Sequence, residues 1–221
     1  MNQTERDIRQ RDLVPPDRLA ACSATVIGVG AIGRQVALQL AAVGVPRLQL
    51  VDPDRVEPVN LACQGFLEED LGRHKVDAVA DLCRRINSDV EVAVEPGRFR
   101  RSGEVGDVVF CCVDDIRTRA LIWDAVQRRV RFFVDGRMAA EVLRVLTACD
   151  AASRRHYPTT LFASEEAHRG ACTAKSTIYC ASIAAGLMLT QFTRWLRRLP
   201  VDADLTLNLL AAEMCVLAVA T

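Results

Sequence analysis

The 221-residue chain is predicted to fold as a doubly wound α/β domain. We expect a mostly parallel, Rossmann-like sheet, antiparallel C-terminal strands and one long crossover loop. Three observations predict this. Short apolar runs alternate with segments of helical spacing, which implies right-handed crossovers and a sheet covered on both faces. A glycine-rich turn, in ATVIGVGAIGRQVALQL (24–40), joins the first such run to the first helical segment. From Glu141 the run VLRVLTACD follows the preceding strand with no helical interval, as an antiparallel addition would.

In order, a polar N-terminal segment leads to a strand at Thr25–Gly28 and a helix from Ile32 to Val43, which Gly44 ends as a C-cap. Leu48–Val51 reads as the second strand. Asp70–Asn87 carries Leu71, Val76, Val79, Ala80, Leu82, Cys83 and Ile86 at helical spacing, ahead of a third strand at Val90–Val94. Asp107–Cys112 is the fourth strand, Arg117–Arg129 a helix and Arg131–Asp135 the fifth strand. Residues 150–174 are polar and rich in turn formers, which predicts a long functional or disordered loop. Ile178–Leu199 is apolar but carries Arg194, Arg197 and Arg198, which a spanning helix tolerates poorly. It reads as a buried helix whose Ala181, Ala184 and Ala185 pack either internally or on a partner subunit. The length suits one domain over residues 1–221.

Twenty-eight basic residues balance 28 acidic ones, so no long-range field draws the chain to nucleic acid or membrane. Nine cysteines, odd in number and never spaced C-x-x-C, fit no complete disulfide framework. The polar start has no apolar signal region. A cytoplasmic location is expected, with most thiols acting as small buried hydrophobes.

In Gly28-Val29-Gly30-Ala31-Ile32-Gly33 the glycines allow a tight turn and let backbone N–H groups approach phosphate at a helix N-terminus. Asp52 follows nineteen residues after Gly33 at a strand end, where an acid accepts ribose hydroxyls. These two features alone favour NAD. Yet Asp114 directly follows the fourth strand and so converges with Asp52 and the glycine turn at one sheet edge, and a lysine such as Lys75 with a second acid suits a triphosphate and Mg²⁺. Plainer readings stay open: Asp52 and Asp114 as acids capping turns, Lys75 as a solvated helix residue, Arg9 as part of a charged tail.

The ordered series GxGxxG, VDPDxVEPVNL, GRHK and CVDD resembles the ThiF-like and MoeB-like adenylyltransferases, whose fold the ubiquitin-activating enzymes share. The resemblance covers roughly residues 5–200. It implies ATP and Mg²⁺, and adenylation of the C-terminal glycine carboxylate of a ubiquitin-like or sulfur-carrier protein, with release of pyrophosphate. By resemblance, Gly28, Gly30, Ala31, Ile32 and Gly33 cradle the nucleotide. Asp52 holds the ribose, Asp54 belongs to the same set, Asn60 and Lys75 handle phosphate, and Asp114 is the Mg²⁺-associated acid. Arg119 matches an arginine on the following helix. Arg9 matches one donated across a homodimer to the partner's γ-phosphate. Where family members read N-L-x-R-Q, this chain has Cys63 in Asn60-Leu61-Ala62-Cys63-Gln64. Either Arg55 or Arg73 replaces the missing arginine, or ATP handling is altered.

Some relatives pass the adenylate to a cysteine. Cys172, leaving the polar loop beside Arg169 and Lys175 and opening an apolar helix, has the setting that lowers a thiol pKa; Cys149 is second. Family members often carry zinc on two C-x-x-C pairs. No such spacing exists here, and His74, His156 and His168 form no ligand pattern, so no zinc is expected. A conjugating or sulfur-transfer partner would follow the thioester. The alternatives are a catalytically impaired scaffold subunit of a heteromeric enzyme, or adenylation of a peptide or tRNA acceptor.

Overall fold

A computed structural model describes residues 6–162 and 177–219. Eight strands form one sheet in the order β3-β2-β1-β4-β5-β6-β7-β8. They are β1 (Ser23–Ile27), β2 (Arg47–Val51), β3 (Glu91–Glu95), β4 (Val108–Cys111), β5 (Phe132–Ala139), β6 (Val142–Ala148), β7 (Asp204–Asn208) and β8 (Glu213–Val216). The first five pair in parallel and the last three antiparallel, as expected. The helices are α1 (Pro16–Ala20), α2 (Ala31–Val43), α3 (Pro58–Gln64), α4 (Lys75–Ile86), α5 (Ile116–Val126), α6 (Ala151–His156) and α7 (Ile178–Leu196).

Strand alternation separates the two faces. Along β4, Val108 and Phe110 join a core built with α2, α4 and α7, while Val109 and Cys111 join a second core with α5 and Tyr157. Ala181, Ala184 and Ala185 are wholly buried in the first core, so the small-residue side of α7 packs within the chain. No helix among the described residues is long and apolar enough to cross a membrane.

Four differences from the expected elements have local causes. The helix expected from Asp70 begins at Lys75, because Gly72 turns the chain at φ +80°. The fifth strand runs on to Ala139, where it meets β6 in a hairpin. Pro58 at the first turn and Gly65 in the left-handed region bound α3, which periodicity did not reveal. The long loop expected over 150–174 is in its first part not a loop. Asp150 accepts the Ser153 N–H at 2.8 Å and donates its own N–H to Ser153 Oγ at 3.1 Å, a capping box that starts α6. A 3₁₀ turn at Tyr157–Thr160 follows, with Tyr157 buried.

Behind α6, buried Asp204 on β7 accepts Arg144 through both its oxygens (2.8 and 2.7 Å) and His156 Nε2 at 2.8 Å. Burial opposes ionisation of Asp204, but these partners outweigh it and hold the carboxyl below its ordinary value of 3.8. A depressed acid stabilises the fold at neutral pH and loses that contribution as pH falls through its folded value. Asp204→Ala is therefore expected to cost about 2 kcal/mol in urea unfolding at neutral pH. The gap to wild type should close below 3.8; an equal cost in acid would contradict this account.

Candidate nucleotide site

The site is built on the carboxyl ends of β1, β2 and β4, which lie side by side. Gly28 leaves β1 at φ +86°, where a Cβ would sit 2.8 Å from the Cys112 backbone carbonyl. At Gly33 a Cβ would fall 1.8 Å from the Gly28 carbonyl oxygen. Both positions require glycine, and the turn is pressed against the end of β4. Gly30 caps α2 with no side-chain acceptor, so the first N–H groups of a 13-residue helix face outward with the positive end of its dipole.

Asp52, buried at the end of β2, receives the Val29 N–H at 2.6 Å and the Asp54 N–H at 2.8 Å. Burial pushes its carboxyl above the ordinary value, against the pull of these bonds and of Lys75. The resulting Asp52 turn carries Asp54, whose Oδ2 lies 2.9 Å from Lys75 Nζ. Lys75 opens α4 and is buried, so it is not the solvated helix residue of the plainer reading. Asn60 is buried in α3, with Oδ1 accepting the Glu57 N–H at 2.9 Å.

After β4 two adjacent acids divide the work. Asp115 caps α5, accepting the Thr118 N–H at 2.7 Å. Asp114 is exposed at the same edge and makes no side-chain hydrogen bond among the described residues. Arg119 is buried beneath this loop. Its guanidinium holds Asp135, the Val113 carbonyl and, at 3.3 Å, the Gly136 carbonyl. Asp135 also accepts Arg137 Nε at 2.8 Å and the Tyr157 hydroxyl at 3.0 Å. The network fastens the Asp114 loop to β5, and sequence reading missed Asp135, Arg137 and Tyr157 because residues far apart in sequence build it.

Arg9 is exposed on the N-terminal turns. There Arg6 donates to the carbonyls of Ala41 and Ala42, and Gln10 to that of Val43, so the segment is tied to the C-terminal end of α2. The length of this 13-residue helix, about 20 Å, separates it from the glycine turn. The two arginines considered as replacements at Cys63 are engaged elsewhere: Arg55 donates to the Gly72 carbonyl, and Arg73 to Asp70 and Asp81. Cys172 lies outside the described residues. Cys149 is half-buried, and burial together with Asp150 pushes its thiol up to about 11, which disfavours the thiolate a nucleophile needs.

A mostly parallel sheet whose carboxyl edge carries a glycine-lined helix N-terminus, a buried lysine and an exposed acid defines a doubly wound α/β protein with a candidate anion site at that edge. The ThiF family model matches residues 5–214, and the chain belongs to the ThiF family. Among curated relatives, "Adenylyltransferase and sulfurtransferase MOCS3" of Mus musculus is 41% identical over 114 residues, 49% of this chain and 25% of that protein. The "SAMP-activating enzyme E1" of Haloferax volcanii is 37% identical over 113 residues, 48% of this chain and 42% of that protein. The match thus spans less than half the length of either relative. Among solved structures, E. coli MccB with MccA-N7isoASN superposes with a TM-score of 0.82 at 16% identity, covering 99% of this chain and 72% of that one. PaaA superposes at 0.77 with 20% identity, covering 98% and 73%. These two likenesses show the fold.

Two of the three glycines of the turn, Gly30 and Gly33, differ in a measurable way. Gly33→Ala forces backbone against backbone and is expected to cost about 3 kcal/mol. Gly30→Ala, whose new methyl would meet only the Gln64 side chain at 3.7 Å, is expected to cost about 1 kcal/mol as a poorer cap. Urea unfolding of both variants measures the difference; equal costs would show that the turn is looser than described.

Proposed function

We propose that the chain acts as one adenylation domain over residues 1–221, activating the C-terminal glycine carboxylate of a ubiquitin-like or sulfur-carrier protein with ATP. The observation that carries this reading is the meeting, on one sheet edge, of the glycine turn, buried Lys75 and exposed Asp114. The names of the mouse and Haloferax relatives support adenylation and carrier activation. The cradle at Gly28 and Gly33, which a Cβ would fill, fits close approach of phosphates to backbone.

In this reading the N–H groups of Gly30, Ala31, Ile32 and Gly33 receive phosphate oxygens, Asp52 and Asp54 set the ribose side, and Asn60 and Lys75 face the triphosphate. Asp114 would hold Mg²⁺, which offsets charge on the leaving pyrophosphate. A carboxylate oxygen of the carrier's terminal glycine attacks the α-phosphorus and the bond to pyrophosphate breaks. Positioning and charge neutralisation supply the rate. Arg119 works indirectly, holding the Asp114 loop. Arg9, remote from its own turn, serves a partner's site in a homodimer on this reading. The setting is cytoplasmic, and a conjugating or sulfur-transfer partner receives the carrier. The MccB structures that contain MccA, and one with ATP, support a peptide acceptor as the second reading.

The test is ATP–pyrophosphate exchange with candidate carriers ending in glycine. Exchange is expected only with a carrier whose terminal carboxylate is free, and should fall about a hundredfold in Lys75→Ala or Asp114→Ala. Exchange with a short peptide but with no carrier would favour the second reading, and none with either would overturn adenylation. In the same mixture a thiol-sensitive adduct that vanishes in Cys172→Ala but survives in Cys149→Ala would place a thioester on Cys172. An adduct persisting without Cys172 would remove that assignment.

A further inference from the structure

Among the buried charged side chains of the described core, Arg34 makes neither a hydrogen bond nor an ion pair. Asp52, Asp70, Lys75, Arg119, Asp135 and Asp204 are also buried, and each holds a hydrogen bond. Arg34 is only 7% exposed, its Nε is buried without a partner, and its guanidinium makes no hydrogen bond or ion pair among the described residues. The residue follows Gly33 directly in the first turn of α2. Its guanidinium lies 5.4 Å from the centre of the Phe66 ring. The end of α3 closes over it: a Cβ on Gly65 would come within 3.1 Å of a terminal nitrogen. Gln64, the residue before, packs its amide against Gly30 and has a buried, unpartnered Oε1.

Two costs coincide here. Burying a guanidinium without an anion is unfavourable, and a cation in the first turn of a helix opposes the helix dipole. Burial accordingly lowers the affinity of Arg34 for its proton. The acid whose charge acts on it, Asp70, is already taken by Arg73 and by the Leu67 N–H. An anion at the N-terminus of α2 offsets both costs at once.

We propose that Arg34 is a phosphate-binding residue of the glycine-turn site, offering its guanidinium to oxygens of the nucleotide's phosphate chain. The proposal rests on the nucleotide reading above, and it identifies a cation in a site where Cys63 supplies none. The guanidinium is held ready by Phe66 and Gly65 instead of being recruited from a flexible surface side chain. A fork of donors suits a phosphate better than a single carboxylate, because a phosphate offers it several oxygens.

The test is calorimetric titration of wild type, Arg34→Met and Arg34→Lys with Mg-ATP and with adenosine. Methionine keeps an unbranched stem over Phe66 and removes an unpaired charge, so the ligand-free variant should melt at or above the wild-type temperature. Its affinity for ATP should fall at least about tenfold while its affinity for adenosine is unchanged, with Arg34→Lys in between. An unchanged ratio of ATP to adenosine affinity in Arg34→Met and Arg34→Lys would overturn the role of Arg34 and leave the nucleotide reading standing. A wild-type protein that binds neither ligand would overturn the nucleotide reading and this proposal with it.

Discussion

The carboxylate of Asp52 is the fixed point of the site. It takes the N–H of Val29 from the glycine turn and the N–H of Asp54 from its own turn, and so ties β1's exit to β2's exit. Hydrogen bonds to a charged acceptor contribute roughly 1.5–3 kcal/mol each, and here they work against the burial that pushes the carboxyl up. Without that tie the turn would lose the link that aims the start of α2. Asp54, delivered by the same turn, fixes the Lys75 ammonium. One side chain thus sets both the anion-facing amides and the cation beside them.

The opposite wall is held differently. Arg119 and Asp135 fasten the loop after β4 from below, so Asp114 need not spend its carboxylate on structure. Asp115 performs the capping that Asp114 would otherwise do. The site therefore combines buried, fully engaged charges that position with exposed or unpaired ones that remain available. Asp114 is of the second kind at the surface, and Arg34 is of the second kind in the interior.

The parallel half of the fold was legible because β1, β2 and β4 are short apolar runs, each followed by a helix before the next strand. The signals for α3 were present too, in Pro58 and Gly65, but at seven residues the helix is too short for periodicity to stand out. The Asp150–Ser153 capping box was hidden inside a polar stretch that composition marks as loop. In the site, Gly28, Gly33, Asp52 and Lys75 were legible from motif spacing. Arg34, Asp135 and Tyr157 were not, since their importance lies in what burial does to a charge or a hydroxyl, and burial is a property of the assembled sheet.

The central claim is that Asp52 holds the glycine turn. Amide hydrogen exchange at Val29, compared between wild type and Asp52→Ala, measures this. Val29 is expected to exchange about as slowly as Gly28, whose N–H is bonded to the Val51 carbonyl at 2.9 Å, and at least about tenfold faster once the carboxylate is removed. Equal rates at Val29 in the two proteins would show that the turn stands without Asp52 and would contradict the account.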